Sequence, residues 1–179
     1  MADRFETQLS GGHPNSLGRT AEVVQCVLRD PSRFPELFDC YGSDDPVVRL
    51  RTSNAMKRVQ AERPDFILPF TDRLINEVGA LDQASAQWTL AQLFDAMWDE
   101  MTPRQRTAAL KLMKRNIAEH TDWIVLKTTT QSLAAIATLD AALRNWLRPH
   151  LDRLTGDARK SVARTAAVER ERLQAVKDD

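Results

Sequence analysis

The stretch that decides the fold is Asp44-Asp45-Pro46-Val47-Val48-Arg49-Leu50-Arg51-Thr52-Ser53-Asn54-Ala55-Met56-Lys57-Arg58-Val59. Asp45 stands where an N-cap belongs, and Pro46 takes the first helical position, where a missing N–H costs nothing. From Asp45 the chain places Thr52 at +7, Met56 at +11 and Val59 at +14. Spacings of four and three put the last three residues on one helical stripe. The pattern returns 37 residues on, as Asp82, Thr89, Leu93 and Ala96, and after a further 40 as Asp122, Thr129, Leu133 and Ile136. Asp45, Asp82 and Asp122 are expected to cap helices, with Thr121 a rival to the last. The three threonines are expected to be buried, each hydroxyl bonded to a carbonyl one turn back.

A second helix is expected in each unit. Residues 64–78 carry Phe66, Ile67, Phe70, Leu74 and Ile75. Thr102-Pro103 with Gln105 reads as a capping box opening the next, whose apolar side is Ala109, Leu110, Leu112, Met113 and Ile117. A third spans about 140–154, where Pro149-x-x-Asp152-Arg153-Leu154 echoes Pro69-x-x-Asp72-Arg73-Leu74. On the amino side, Leu17, Ala21, Val24 and Leu28 are expected on one face, ahead of a helix with Phe34, Leu37, Phe38 and Tyr41. On the carboxyl side, Gly156 and Asp157 separate off a charged final helix whose thin apolar side is Val162, Ala166 and Leu173. Residues 1–14, with Gly11, Gly12 and Pro14, read as a flexible tail. The remainder, 15–179, reads as a single repeat domain with units of about 15–43, 44–80, 81–120 and 121–155 and a cap over 156–177.

Helix pairs at this period, with Asp45-Pro46-Val47-Val48-Arg49, Ala55-Met56, Pro69, Asp72, Arg73 and Leu74, resemble the HEAT/armadillo class of α-solenoids. The likeness is to small bacterial HEAT-like repeat proteins that carry no established activity. The unit at Asp82 departs from it, with Gln83 for the proline and Ala86 for the arginine. The resemblance implies an all-α superhelix, a right-handed α-solenoid of about four HEAT-like helix pairs plus a C-terminal capping helix. It implies second helices along a concave groove, a surface that binds macromolecules. It carries over no catalytic residue.

Composition narrows the function classes. The 179 residues hold 25 Lys+Arg and 25 Asp+Glu, so a general polyanion binder, basic throughout, is not expected. Two cysteines, Cys26 and Cys40, make neither a disulfide framework nor a four-thiolate zinc site. The start, Met1-Ala2-Asp3-Arg4-Phe5-Glu6, has no apolar run behind it, and no window approaches the roughly 18 apolar residues of a membrane span. A cytoplasmic protein with no membrane partner is expected. His13, His120 and His150 show no metal-ligand spacing, and no phosphate loop or nucleophile motif is present. No metal and no cofactor is therefore expected.

Two constellations remain. Asp95 and Asp99, four apart beside Trp98, can pair carboxylates on one helix face. HEAT-like alkylpurine DNA glycosylases use an aspartate and aromatics in a groove. Residues 82–100, however, contain no Lys or Arg to hold duplex DNA. The bland account is an acidic solvated face, and the reading leans away from an enzyme. Residues 102–119, in contrast, carry a net +4. Lys111, Lys114 and Arg115 share a face, as do Arg144 and Arg148 on the next unit's equivalent helix. The expected site is this basic stripe, open to an acidic segment of another protein, with nucleic acid the alternative ligand. Neutralisation by Asp140 and Asp152 is the structural explanation it competes with.

Overall fold

The computed structural model describes residues 4–13 and 16–176. These residues are all-α, with no strand among them, and no helix is long and apolar enough to cross a membrane. The chain forms two compact units, Met1–Thr89 and Leu90–Asp179.

In the first unit, α1 (Phe5–Leu9), α2 (Thr20–Arg29), α3 (Phe34–Asp39) and α4 (Pro46–Glu62) pack together, followed by short α5 (Pro64–Ile67) and α6 (Thr71–Asn76). The expected tail is corrected over 5–9. Phe5 and Leu9, four apart, are fully buried, each burial contributing about 1.5–3 kcal/mol. Residues 1–3 and Pro14 of that tail lie outside the described residues, as does residue 177 at the end of the expected cap. In α2 the buried face is Thr20, Val23, Val24 and Val27. Leu17 precedes the helix and is exposed, and Ala21 is exposed too, so the helix is turned from the expected face.

Asp45 caps α4, its Oδ1 accepting from the Val47 amide at 2.8 Å. The helix expected over 64–78 is broken. A 3-10 turn, Leu68–Phe70, interrupts it at Pro69, which has no N–H for the Asp65 carbonyl only one residue into α5. Phe34 and Phe38 of α3 pack on Phe70, with ring centroids 4.8 and 5.1 Å apart.

Arg51 of α4 is 1% exposed and holds the segment after α1 in place. Its guanidinium donates to the carbonyls of Leu9 at 2.7 Å, Ser10 at 3.2 Å, Gly11 at 2.7 Å, His13 at 3.1 Å and Ser16 at 3.0 Å. Gly18, at φ +51°, passes so close that a Cβ there would stand 2.9 Å from the guanidinium carbon.

α7 spans Ala84–Ala96, which corrects the expected cap at Asp82: the helix starts one residue later, after Gln83. The Gln83 carbonyl accepts from the amides of Ala86 and Gln87. Its side chain accepts from Arg49 Nε and donates to the Pro46 carbonyl at 3.1 Å. The glutamine that replaces the expected proline thus ties the start of α7 to the start of α4.

The second unit contains α8 (Pro103–Glu119), α9 (Trp123–Ala137), α10 (Ala141–Thr155) and α11 (Lys160–Gln174). α9 packs against all three others. Thr102 and Gln105 complete the capping box of α8. Asp122, not Thr121, caps α9, and Asp140 caps α10. Pro149 sits inside α10, where the echo of Pro69 leads to a different outcome. Eight residues of α10 precede it, and the Asn145 carbonyl it leaves unbonded is on an exposed residue.

Thr52, Thr89 and Thr129 are each fully buried, as the repeat spacing requires. Their hydroxyls differ. Thr52 donates to the Val48 carbonyl at 2.8 Å, whereas Thr89 and Thr129 have no partner among the described residues. Ala96 departs from the pattern, being exposed at the last position of α7.

Two stability measurements follow. Thr52→Val should cost about 1 kcal/mol, because it removes a made bond, while Thr129→Val should be neutral or stabilise by up to about 1 kcal/mol, because it removes a buried unsatisfied hydroxyl. Equal effects in denaturant unfolding would contradict this difference. Gly18→Ala should destabilise by about 1–3 kcal/mol, since a left-handed Ala meets a guanidinium that five carbonyls hold still. An unchanged melting temperature would show that the segment yields.

Candidate functional site

The basic stripe does not form as one surface. Arg144 is 5% exposed and turns inward, where Nη1 donates to the carbonyls of Ala137 at 2.8 Å and Thr138 at 3.1 Å, closing the end of α9. Arg148 is exposed, but two residues from Trp146 means roughly 160° around α10 from it. Lys111 and Arg115 of α8 are exposed, and Arg115 Nη2 reaches Asn116 Oδ1 at 3.4 Å.

The structure joins a different set. Lys114 Nζ lies 4.8 Å from the ring centroid of Trp146 on α10. Trp146 stacks on His150 with centroids 4.2 Å apart. Arg153 donates to the Ile117 carbonyl of α8 at 2.6 Å and ties the two helices together at this face. Trp146, His150 and Arg153 follow i, i+4, i+7 spacing, so they share one flank of α10. That spacing is readable in the sequence, but only the contact with Lys114 shows which flank meets α8.

Neither Asp140 nor Asp152 is paired with the cations of this face. Asp140 accepts from the Leu143 amide at 2.9 Å, and Asp152 pairs with Arg170 of α11 at 3.3 Å. Lys111, Lys114 and Arg148 make no ion pair among the described residues. Burial lowers the pKa of His150, and the charge of Arg153 lowers it further.

The carboxylate pair is not assembled. α7 ends at Ala96 and Trp98–Glu100 form a 3-10 turn, so Asp99 is not one helical turn above Asp95. Asp95 is half-buried, which raises its pKa against the opposing charge of Arg172. Asp99 contributes its carbonyl, which accepts from Arg106 at 2.9 Å, and the Arg106 guanidinium lies 5.5 Å from the Trp98 ring. Among the described residues no group of three or more His, Cys, Asp or Glu is placed to hold a metal. Burial, with the charges of Glu6, Glu36 and Asp39, pushes the Cys40 thiol up to about 12. Cys26 and Cys40 are both free thiols.

The His150 shift sets the sign of a pH effect. The unfolded chain takes up this proton near the usual 6.5, above the folded value, so folded stability falls as pH drops through that range. Melting temperature should therefore fall between about pH 7 and about pH 5 by a component missing from His150→Gln. An identical fall in the variant would remove His150 as its source. Comparison with family models, with curated proteins and with solved structures finds no match for this chain.

Proposed function

We propose that the chain is a binding scaffold of the HEAT/armadillo type, working in the cytoplasm, and that its α8–α10 face takes an acidic segment of another protein. The array reading is supported by the aspartate caps at 45 and 122 and by the buried threonines seven residues after 45, 82 and 122. Whether the helix pairs continue as a right-handed solenoid is part of this proposal.

The observation that carries the binding reading is the Lys114–Trp146–His150 stack beside cations without carboxylate partners. A half-buried tryptophan gives an acidic segment an apolar surface, and the lysines supply complementary charge. Nucleic acid is the less favoured ligand. The chain has no excess positive charge, and Arg148 faces away from the aromatic flank.

The test is calorimetric titration of the whole protein with an aspartate- and glutamate-rich peptide carrying one Leu, and with single-stranded RNA, at two salt concentrations. Wild type should bind the peptide. Lys111→Glu with Lys114→Glu should weaken it by at least about tenfold at an unchanged melting temperature, because like charges brought together cost several kcal/mol. Unchanged peptide binding in the variant, or RNA binding alone with a steep salt slope, would overturn the reading.

A further inference from the structure

A second electropositive feature lies between α9 and α11. The two helices leave an open hollow of about 460 Å³, lined by Lys127 and Gln131 from α9 and by Lys160, Ser161, Arg164 and Thr165 from α11. Lys127 and Gln131 are one turn apart, as are Lys160 and Arg164, and Ser161 and Thr165. Each helix thus presents a continuous edge to the same space. Val168, 54% exposed, forms an apolar part of the lining.

The cations of this hollow differ from the many that the fold itself occupies. Several arginines elsewhere are matched with carboxylates, such as Arg19 with Glu22, Arg33 with Glu36, Arg63 with Asp65, Arg73 with Glu77 and Arg159 with Asp157, and others, such as Arg51 and Arg144, are spent on backbone carbonyls. Lys127, Lys160 and Arg164 have no such match among the described residues. The one carboxylate of the lining, Glu169, is buried and accepts from Arg172 at 3.5 Å. Ser161, Thr165 and Gln131 bring two hydroxyls and an amide with no hydrogen-bond partner among the described residues.

We propose that this hollow binds a small phosphorylated organic molecule. A phosphate group presents several acceptor oxygens and close to two negative charges, which suits three cations interleaved with neutral donors. Arg164 supplies a planar fork for two oxygens, and the lysines supply point charges. The volume lies within the range of small-molecule sites and exceeds what a phosphate group alone needs. The organic part then lies along Val168. The site is independent of the α8–α10 face and survives if the peptide reading fails.

The experiment is calorimetric titration of the full chain with phenyl phosphate and with inorganic phosphate, at constant ionic strength. Phenyl phosphate should bind with one-to-one stoichiometry and more tightly than inorganic phosphate. Lys127→Gln with Arg164→Gln should weaken it on the order of tenfold or more, as loss of charged hydrogen bonds does. Lys111→Glu with Lys114→Glu should leave it unchanged. The single variant Lys160→Gln provides a milder test if the double variant does not fold, and amide shifts at Ser161 and Thr165 report the site directly. The proposal is overturned if phenyl phosphate does not bind, if it binds equally well to the hollow variants, or if it moves amides on α8 and α10 instead.

Discussion

α9 is packed on three sides, and the second unit is arranged around that constraint. A helix flanked by α8, α10 and α11 keeps only a narrow solvated edge, which Lys127 and Gln131 occupy. Its interior is accordingly built from Val125, Leu126, Leu133 and Ile136, with Ala134 and Ala137 admitting close neighbours. The polar residues it does bury are small: Thr128, Thr129, Thr130 and Ser132. Both ends must then be satisfied by named groups. Asp122 accepts from the Ile124 and Val125 amides at the start, and Arg144 donates to the Ala137 and Thr138 carbonyls at the finish. An unclosed end beside this core would leave polar backbone groups short of partners, each costing about 1–3 kcal/mol.

Guanidinium groups serve this closing role repeatedly. Arg51 gathers the carbonyls beyond α1, Arg144 those ending α9, and Arg153 the Ile117 carbonyl near the end of α8. The geometry suits arginine, whose five donors spread in a plane and reach several carbonyls without a carboxylate nearby. Such use also decides what remains for binding. A count of basic residues along α8 and α10 overstates the charge facing solvent, because Arg144 is committed to the backbone.

The fold was legible in the sequence where local chemistry sets the outcome. Asp45, Thr102 and Asp122 each mark a helix start by a side-chain cap, which needs only residues two or three positions away, whereas α7 starts after Gln83 and not after Asp82. The buried threonines followed from period alone. The misses have non-local causes. Phe5 and Leu9 are too few to announce a helix, and they are buried because α2, α3 and α4 stand against α1. The rotation of α2 depends on those same neighbours. Pro69 and Pro149 occupy matching motifs, yet only the first breaks its helix, because its position within the helix differs.

The candidate site was legible in composition but not in arrangement. Lys111 and Lys114 were readable as a basic face, since one helix fixes their spacing. Joining them to α10 needed the phase of that second helix. Arg144 and Arg148 lie one turn apart and look equivalent, but Arg144 lies near the buried side and finds carbonyls there, while Arg148 remains in water. Trp146 sits on the opposite flank, and its indole meets a lysine across the helix pair rather than a neighbour in sequence. The aromatic ring therefore decides which cations act together. A lysine above an indole is held in position at a cost shared by the cation–π contact, and its charge faces outward with little further ordering needed on binding. The physical basis of the proposed recognition is this preorganisation, more than the net charge of α8, since a solvated lysine elsewhere on the surface has the same charge without the fixed position.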